Sequence, residues 1–228
     1  MRATRMSMIP PSFLFRMCYP CLYVPSVPRA EGDDLVGLAA SCQLADNLRL
    51  TEKPGYAQVR LGWNEGGIGF ELRVQGKDRG VQGDTSNYRR SDGISLWIDT
   101  RSSRDSHRAT RFCHHFYFLA GGAGDDGETP TAGQTKIHRA TADAPLCNPD
   151  KLQVRRHPHK SGYRLEGFIP ASCLAGFDVD LNRQFGFFYA VRDSELGEQT
   201  LSVGAEFPYA EDPSLWQWIE LLSDKKSK

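Results

Sequence analysis

Apolar and polar residues alternate at period two along most of this chain. Along Ser91–Arg101, Ile94, Leu96 and Ile98 point one way while Ser95, Trp97 and Asp99 point the other. That pattern predicts a half-buried β-strand. Its register is specified, because a slip of one residue would carry Trp97 and Asp99 into the core. The same alternation runs through Tyr56–Trp63 and Ile68–Val74, joined by Asn64-Glu65-Gly66-Gly67, a hairpin signal. Further strands are predicted at Arg111–Leu119, Tyr163–Ile169, Gln184–Asp193 and Ser214–Leu221, with a first one near Phe13–Tyr23. Weaker patterns fall at Gln134–Ala140, Leu152–His157 and Thr200–Val203. Pro170–Leu174 suits one helical turn, and Ala120–Gly133 reads as a Gly-rich acidic loop. No amphipathic helix of respectable length is predicted. The prediction is all-β: one antiparallel β-sandwich, of immunoglobulin or jelly-roll type, of about ten or more strands.

Length and composition narrow this. A chain of 228 residues can bury a sizeable core without disulfides or metal. A single domain is expected over 13–222, after a flexible segment at 1–12 and before a disordered basic tail at 223–228. Lys+Arg and Asp+Glu both number 28, so no strong field steers the chain to nucleic acid or anionic lipid. No apolar run approaches the ~18 residues of a membrane span. The first residues are basic and then apolar, as in a signal peptide, but Pro10, Pro11, Arg16 and Pro20 interrupt the apolar part, and a cytoplasmic location is expected.

Taken in order, VRLGWNEGGIGFELRVQGKD, SDGISLWIDTR, GYRLEGFIPASCL, FGFFYAVRDSELGEQ and DPSLWQWIEL resemble the family 9 carbohydrate-binding modules of the wider DOMON-like β-sandwich group. The likeness rests on Asp92, Ile94, Leu96, Ile98 and Asp99, on Gly162, Tyr163, Leu165, Glu166, Ile169 and Pro170, and on Gly186–Asp193, and it spans roughly 56–221. The resemblance implies non-catalytic sugar binding, often in support of glycoside hydrolases and polysaccharide breakdown, with aromatic rings gripping a sugar and calcium bound in some members. A hydrolase domain is not part of this chain, and the family's second gripping tryptophan has no clear match in Trp216 or Trp218.

The residues themselves offer a matching chemistry. A pyranose needs an aromatic face for its C–H side and polar groups for its hydroxyls. Trp97 and Asp99 supply such a pair. Glu71 and Arg73 would share their face if the strands meet, with Arg60, Glu166 and Arg192 joining from neighbours. Structural ion pairs explain the same charges equally simply. Asp125, Asp126, Asp178 and Asp180 offer oxygen ligands of the kind calcium takes, although solvated turns are the favoured reading and no EF-hand pattern is met. Cys18-x-x-Cys21 and the His107–His115 region lack the paired spacing of a zinc site. Cys113 with His115 lacks an orienting third group, and GxSxG, Walker A, HExxH and dinucleotide motifs are absent from the sequence. A saccharide ligand is therefore the leading expectation. A protein-interaction sandwich is the alternative, and a small metal-dependent hydrolase using His107–His115 is a third.

Overall fold

The computed structural model describes residues 16–45, 55–103 and 105–223. The expected N-terminal segment, the strand start at Phe13 and all but the first residue of the expected tail lie outside them. The strands are β1 Cys18–Tyr23, β2 Ala57–Asn64, β3 Gly67–Gln75, β4 Gly93–Asp99, β5 Cys113–Ala123, β6 Thr129–Thr135, β7 Gln153–His159, β8 Gly162–Pro170, β9 Gln184–Asp193, β10 Gly197–Thr200 and β11 Gln217–Leu222. They join in the order β6-β5-β4-β9-β11-β1-β2-β3-β8-β7, with β10 also on β9. All pairings are antiparallel except those of β1, which runs parallel to both β11 and β2. The folded-over sheet makes the all-β sandwich that the alternation predicts. Several boundaries move. β5 runs on to Ala123 and β6 occupies Thr129–Thr135, most of it in the stretch read as loop, while β10 meets the expected Thr200–Val203 only at Thr200 and β11 starts at Gln217.

The two leaves meet through residues of one parity. Val59, Leu61, Phe70, Leu72 and Leu165 come from one leaf, and Ile94, Leu96, Ile98, Phe116, Phe118 and Phe187 from the other, all buried. Phe70 and Phe118 meet edge-on, with ring centroids 4.7 Å apart. Gly167 on β8 makes the room: a Cβ there would lie 2.2 Å from the Phe70 ring. The wide apolar face is a large favourable term, since each fully buried large side chain contributes ~1.5–3 kcal/mol.

One charged group is sealed where β4 begins and β9 ends. The Lys77 ammonium lies 3.1 Å from Asp92 and 3.0 Å from Asp193, with all three side chains buried. Asp92 also accepts from the Gln82 and Ser194 amides, and Asp193 from those of Glu195 and Leu196. The triad thus ties the loops before β4 and after β9 to the end of β3. Replacing Lys77 with methionine leaves two facing carboxylates without their cation, and the expected loss of stability is ~3–5 kcal/mol. Urea unfolding of the Lys77→Met variant checks this; a loss below ~1 kcal/mol would mean the loops are held by other contacts.

Candidate functional site

Strand pairing places Trp97 directly between His115 of β5 and Phe188 of β9. All three point away from the interior, as parity requires, but the sheet surface there is roofed. Tyr209 closes over the indole at a centroid distance of 5.4 Å, and the Trp97 ring stacks on His115 at 4.1 Å. Trp97 is left 1% exposed, so the expected open platform is instead a buried ring beneath a cleft. The reason is chain length: the segment between β10 and β11 is long enough to lay Leu201, Val203 and Tyr209 across the sheet, all buried.

The cleft encloses about 190 Å³, with Trp97 and His115 in its lining and Tyr88, Arg89, Lys136, His138, Arg192 and Glu211 around them. Tyr88 and Arg89 sit on a 3₁₀ turn held by Ser91, whose hydroxyl donates to the Asn87 carbonyl at 3.1 Å and accepts from the Asp84 amide at 2.8 Å. The half-buried Tyr88 ring stacks on Tyr117 at 4.7 Å. Arg192 is ion-paired with Glu198 at 2.9 Å and donates to the Tyr209 hydroxyl at 3.1 Å. Two buried polar atoms of the lining, Trp97 Nε1 and His115 Nε2, have no hydrogen-bond partner among the described residues. Leaving such a group unpaired costs ~1–3 kcal/mol. Burial, and then the positive charges of Arg192 and Arg89, push His115 down to about 3, so its ring is neutral at physiological pH.

The other expected residues are gathered elsewhere. In the sheet, β9, β11, β1 and β2 separate β4 from β3, so Glu71, Arg73, Arg60 and Glu166 lie on the outer face of the opposite leaf from Trp97 and Asp99. The expected shared face of Trp97 with Glu71 and Arg73 is therefore corrected by the strand order. Each of these charges already has partners. Glu71 meets Arg73 at 2.7 Å and Arg60 at 3.1 Å, and Arg60 also donates to the Leu38 carbonyl. Glu166 accepts from the amides of Leu35, Val36 and Gly37 and contacts His157 at 2.7 Å. Burial opposes its ionisation, but those amides and His157 outweigh it and hold the carboxyl below the usual range. Asp99 accepts from the amides of Arg101 and Ser103 and so closes the turn after β4. Of the seven expected residues, Trp97 and Arg192 line the cleft. Tyr88, Arg89, Lys136, His138 and Glu211 were missed because loops carry them; His115 shares the parity of Trp97 and was legible once β4 and β5 are paired.

The metal and hydrolase expectations can be tested on geometry. Among the described residues, Asp125, Asp126, Asp178 and Asp180 do not gather into a set of three ligands. The set that does, Asp34, His157 and Glu166, has its ligand atoms within 4.8 Å of one another. It does not suit calcium. Both Glu166 oxygens are occupied by amides and His157, and Asp34 is ion-paired with Arg164. In a second cleft, of about 400 Å³, His107 Nδ1 lies 3.1 Å from both Asp212 and Ser214. A hydrolytic triad needs the acid and the serine on different ring nitrogens, so this grouping does not form one. Burial, and then the Asp99 charge, push the Cys113 thiol up to about 12, far from a ready thiolate.

No family model matches the chain, and no curated protein sequence does. Among solved structures, the fold is that of family 9 carbohydrate-binding modules. A module from Caldicellulosiruptor kristjanssonii in complex with cellotriose has a TM-score of 0.58 at 15% identity, over 92% of this chain and 96% of that one. A module from the same organism in complex with glucose has a TM-score of 0.54 at 13% identity, over 78% and 83%.

Two predictions follow from the buried rings. Trp97→Ala is expected to cost ~3–5 kcal/mol of stability, because it empties a buried ring site; a thermal midpoint unchanged from that of the parent protein would contradict the described burial. The second concerns pH. His114 is also buried and pushed down to about 4. Its neutral form fits its contacts, with Nδ1 accepting from Gln134 and Nε2 donating to the Ala175 carbonyl. Both histidines lie below the ~6.5 of a free imidazole, so between about pH 6.5 and 4 the unfolded chain binds more protons than the folded one. Their contribution is therefore present above pH ~6.5 and lost as pH falls, at up to ~1.4 kcal/mol per unit for each ring. Urea midpoints at a series of pH values measure the slope, and His115→Phe should reduce it by about one proton. An unchanged slope in that variant would show that His115 is protonated in the fold.

Proposed function

We propose that this protein is a non-catalytic carbohydrate-binding module whose saccharide occupies the cleft above Trp97 and His115. The observation that carries this reading is the make-up of that cleft: aromatic rings at its base and charged groups on its rim. The shared fold with sugar-bound modules supports it. With Trp97 enclosed, the half-buried Tyr88 is the ring able to meet the C–H face of a pyranose. Arg192, His138 and Glu211 are placed to reach its hydroxyls. A volume of about 190 Å³ is below the ~300 Å³ at which drug-sized pockets begin, which suits one sugar ring with the rest of a chain outside. Such binding would serve to hold a polysaccharide for breakdown by another protein.

The test compares the parent protein and Tyr88→Ala by calorimetry against a panel of soluble oligosaccharides. Loss of the Tyr88 ring is expected to weaken binding about tenfold, the worth of one aromatic contact, with a small change in thermal midpoint. Equal binding by both would remove the sugar from this cleft. Failure of the parent protein to bind any member of the panel would favour the protein-interaction reading.

A further inference from the structure

The cations around the cleft are not equally compensated. Lys136 is ion-paired with Asp143 at 2.6 Å and Arg192 with Glu198 at 2.9 Å. The acid of the lining, Glu211, is taken by His138 at 3.0 Å. Arg89 differs: among the described residues it meets no carboxylate. Its Nε donates to the Tyr88 hydroxyl at 3.1 Å, and its guanidinium carbon lies 5.6 Å from the centre of the Tyr88 ring. The guanidinium thus sits at the hydroxyl end of the ring assigned to the sugar. The guanidinium is a planar fork that matches a carboxylate through two parallel N–H bonds. Its turn is tied down by Ser91 through Asp84 and Asn87. A guanidinium so positioned, at the rim of a cleft lined by Tyr88, Trp97 and His115, can take an acceptor from solvent.

From this uncompensated guanidinium, we infer that the cleft selects an anionic sugar, a uronic acid residue whose carboxylate pairs with Arg89 while its ring lies on Tyr88. The inference rests on the saccharide reading above and sharpens it. The field at the cleft has the matching sign: Arg192 and Arg89 both act, after burial, to keep His115 neutral. A neutral glucose ring would leave the Arg89 fork to water, whereas a carboxylate fills it with charge-assisted bonds, which are about twice as strong as neutral ones. Arg192 alone would not give this preference, because Glu198 already neutralises it.

The experiment uses matched ligands: oligosaccharides of glucuronate or galacturonate, and the same chains after reduction of each carboxylate to a hydroxymethyl group. Calorimetry on the full chain should find the acidic form bound at least about tenfold more tightly at low salt, as one charge-assisted pair provides. The preference should shrink as salt rises, because the pair is partly exposed. In Arg89→Gln the ratio of the two affinities should fall to about one, and circular dichroism confirms that this surface change leaves the fold in place. Equal or tighter binding of the reduced chains by the parent protein overturns the anionic preference while the saccharide reading stands. A preference that persists in Arg89→Gln overturns the role of Arg89. If neither form binds, and no neutral oligosaccharide of the wider panel does, both readings fall together.

Discussion

The parity of β4 is the constraint on which the rest of the molecule depends. Ile94, Leu96 and Ile98 can enter the interior only if Ser95, Trp97 and Asp99 face outward, because successive strand residues point to opposite sides. Pairing with β5 and β9 then sets Trp97 beside His115 and Phe188 and leaves no freedom in that arrangement. A ring as large as indole on an outer face must be covered or bound. The chain covers it with Tyr209, whose own ring stacks on Phe188 at 4.6 Å. The cleft is what remains open between that cover, the 3₁₀ turn at Tyr88–Arg90 and the residues that follow β6.

The two outer faces are treated in opposite ways. On the β2-β3-β8 side the segment before β2 lies flat against the sheet, and glycines provide the clearance: a Cβ on Gly62 would come 2.8 Å from Leu38, and one on Gly69 would come 2.6 Å from Val27. Val27, Leu35, Val36, Leu38 and Phe168 form a small second core there. Most of the charges at its edge are paired, with Glu71 shared by Arg60, Arg73 and Arg164 and Glu166 gripping three successive amides, although the buried Arg60 Nε has no partner among the described residues. Buried charges are tolerable when hydrogen-bonded in this way. On the β4-β5-β9 side the accounting is left incomplete. Arg89 meets no carboxylate among the described residues, and two ring nitrogens lack partners.

The same contrast separates residues that look alike in the sequence. Glu166 and Asp99 are strand acids next to apolar residues, and either would serve a sugar hydroxyl. Both are consumed by backbone amides, one by a distant loop and one by the turn that follows its strand. The Lys77, Asp92 and Asp193 group is enclosed as deeply, and its three charges join loop ends.

The period-two pattern by itself determined the all-β class, nearly all the strands, and which residues of each face inward, because alternation is a local property of a pleated backbone. Gln184–Asp193 is legible to the residue for that reason. It failed at Thr129–Thr135, where glycine, proline and threonine carry no apolar alternation and the strand forms because β5 offers it an edge. Which strands are neighbours was beyond the pattern, since pairing is decided by how the whole sheet folds over, and that order parted Glu71 and Arg73 from Trp97. Parity correctly sent the indole outward, yet only the tertiary structure could decide that a loop far along the chain would bury it. Exposure depends on contacts between distant segments, whereas parity depends on the backbone alone.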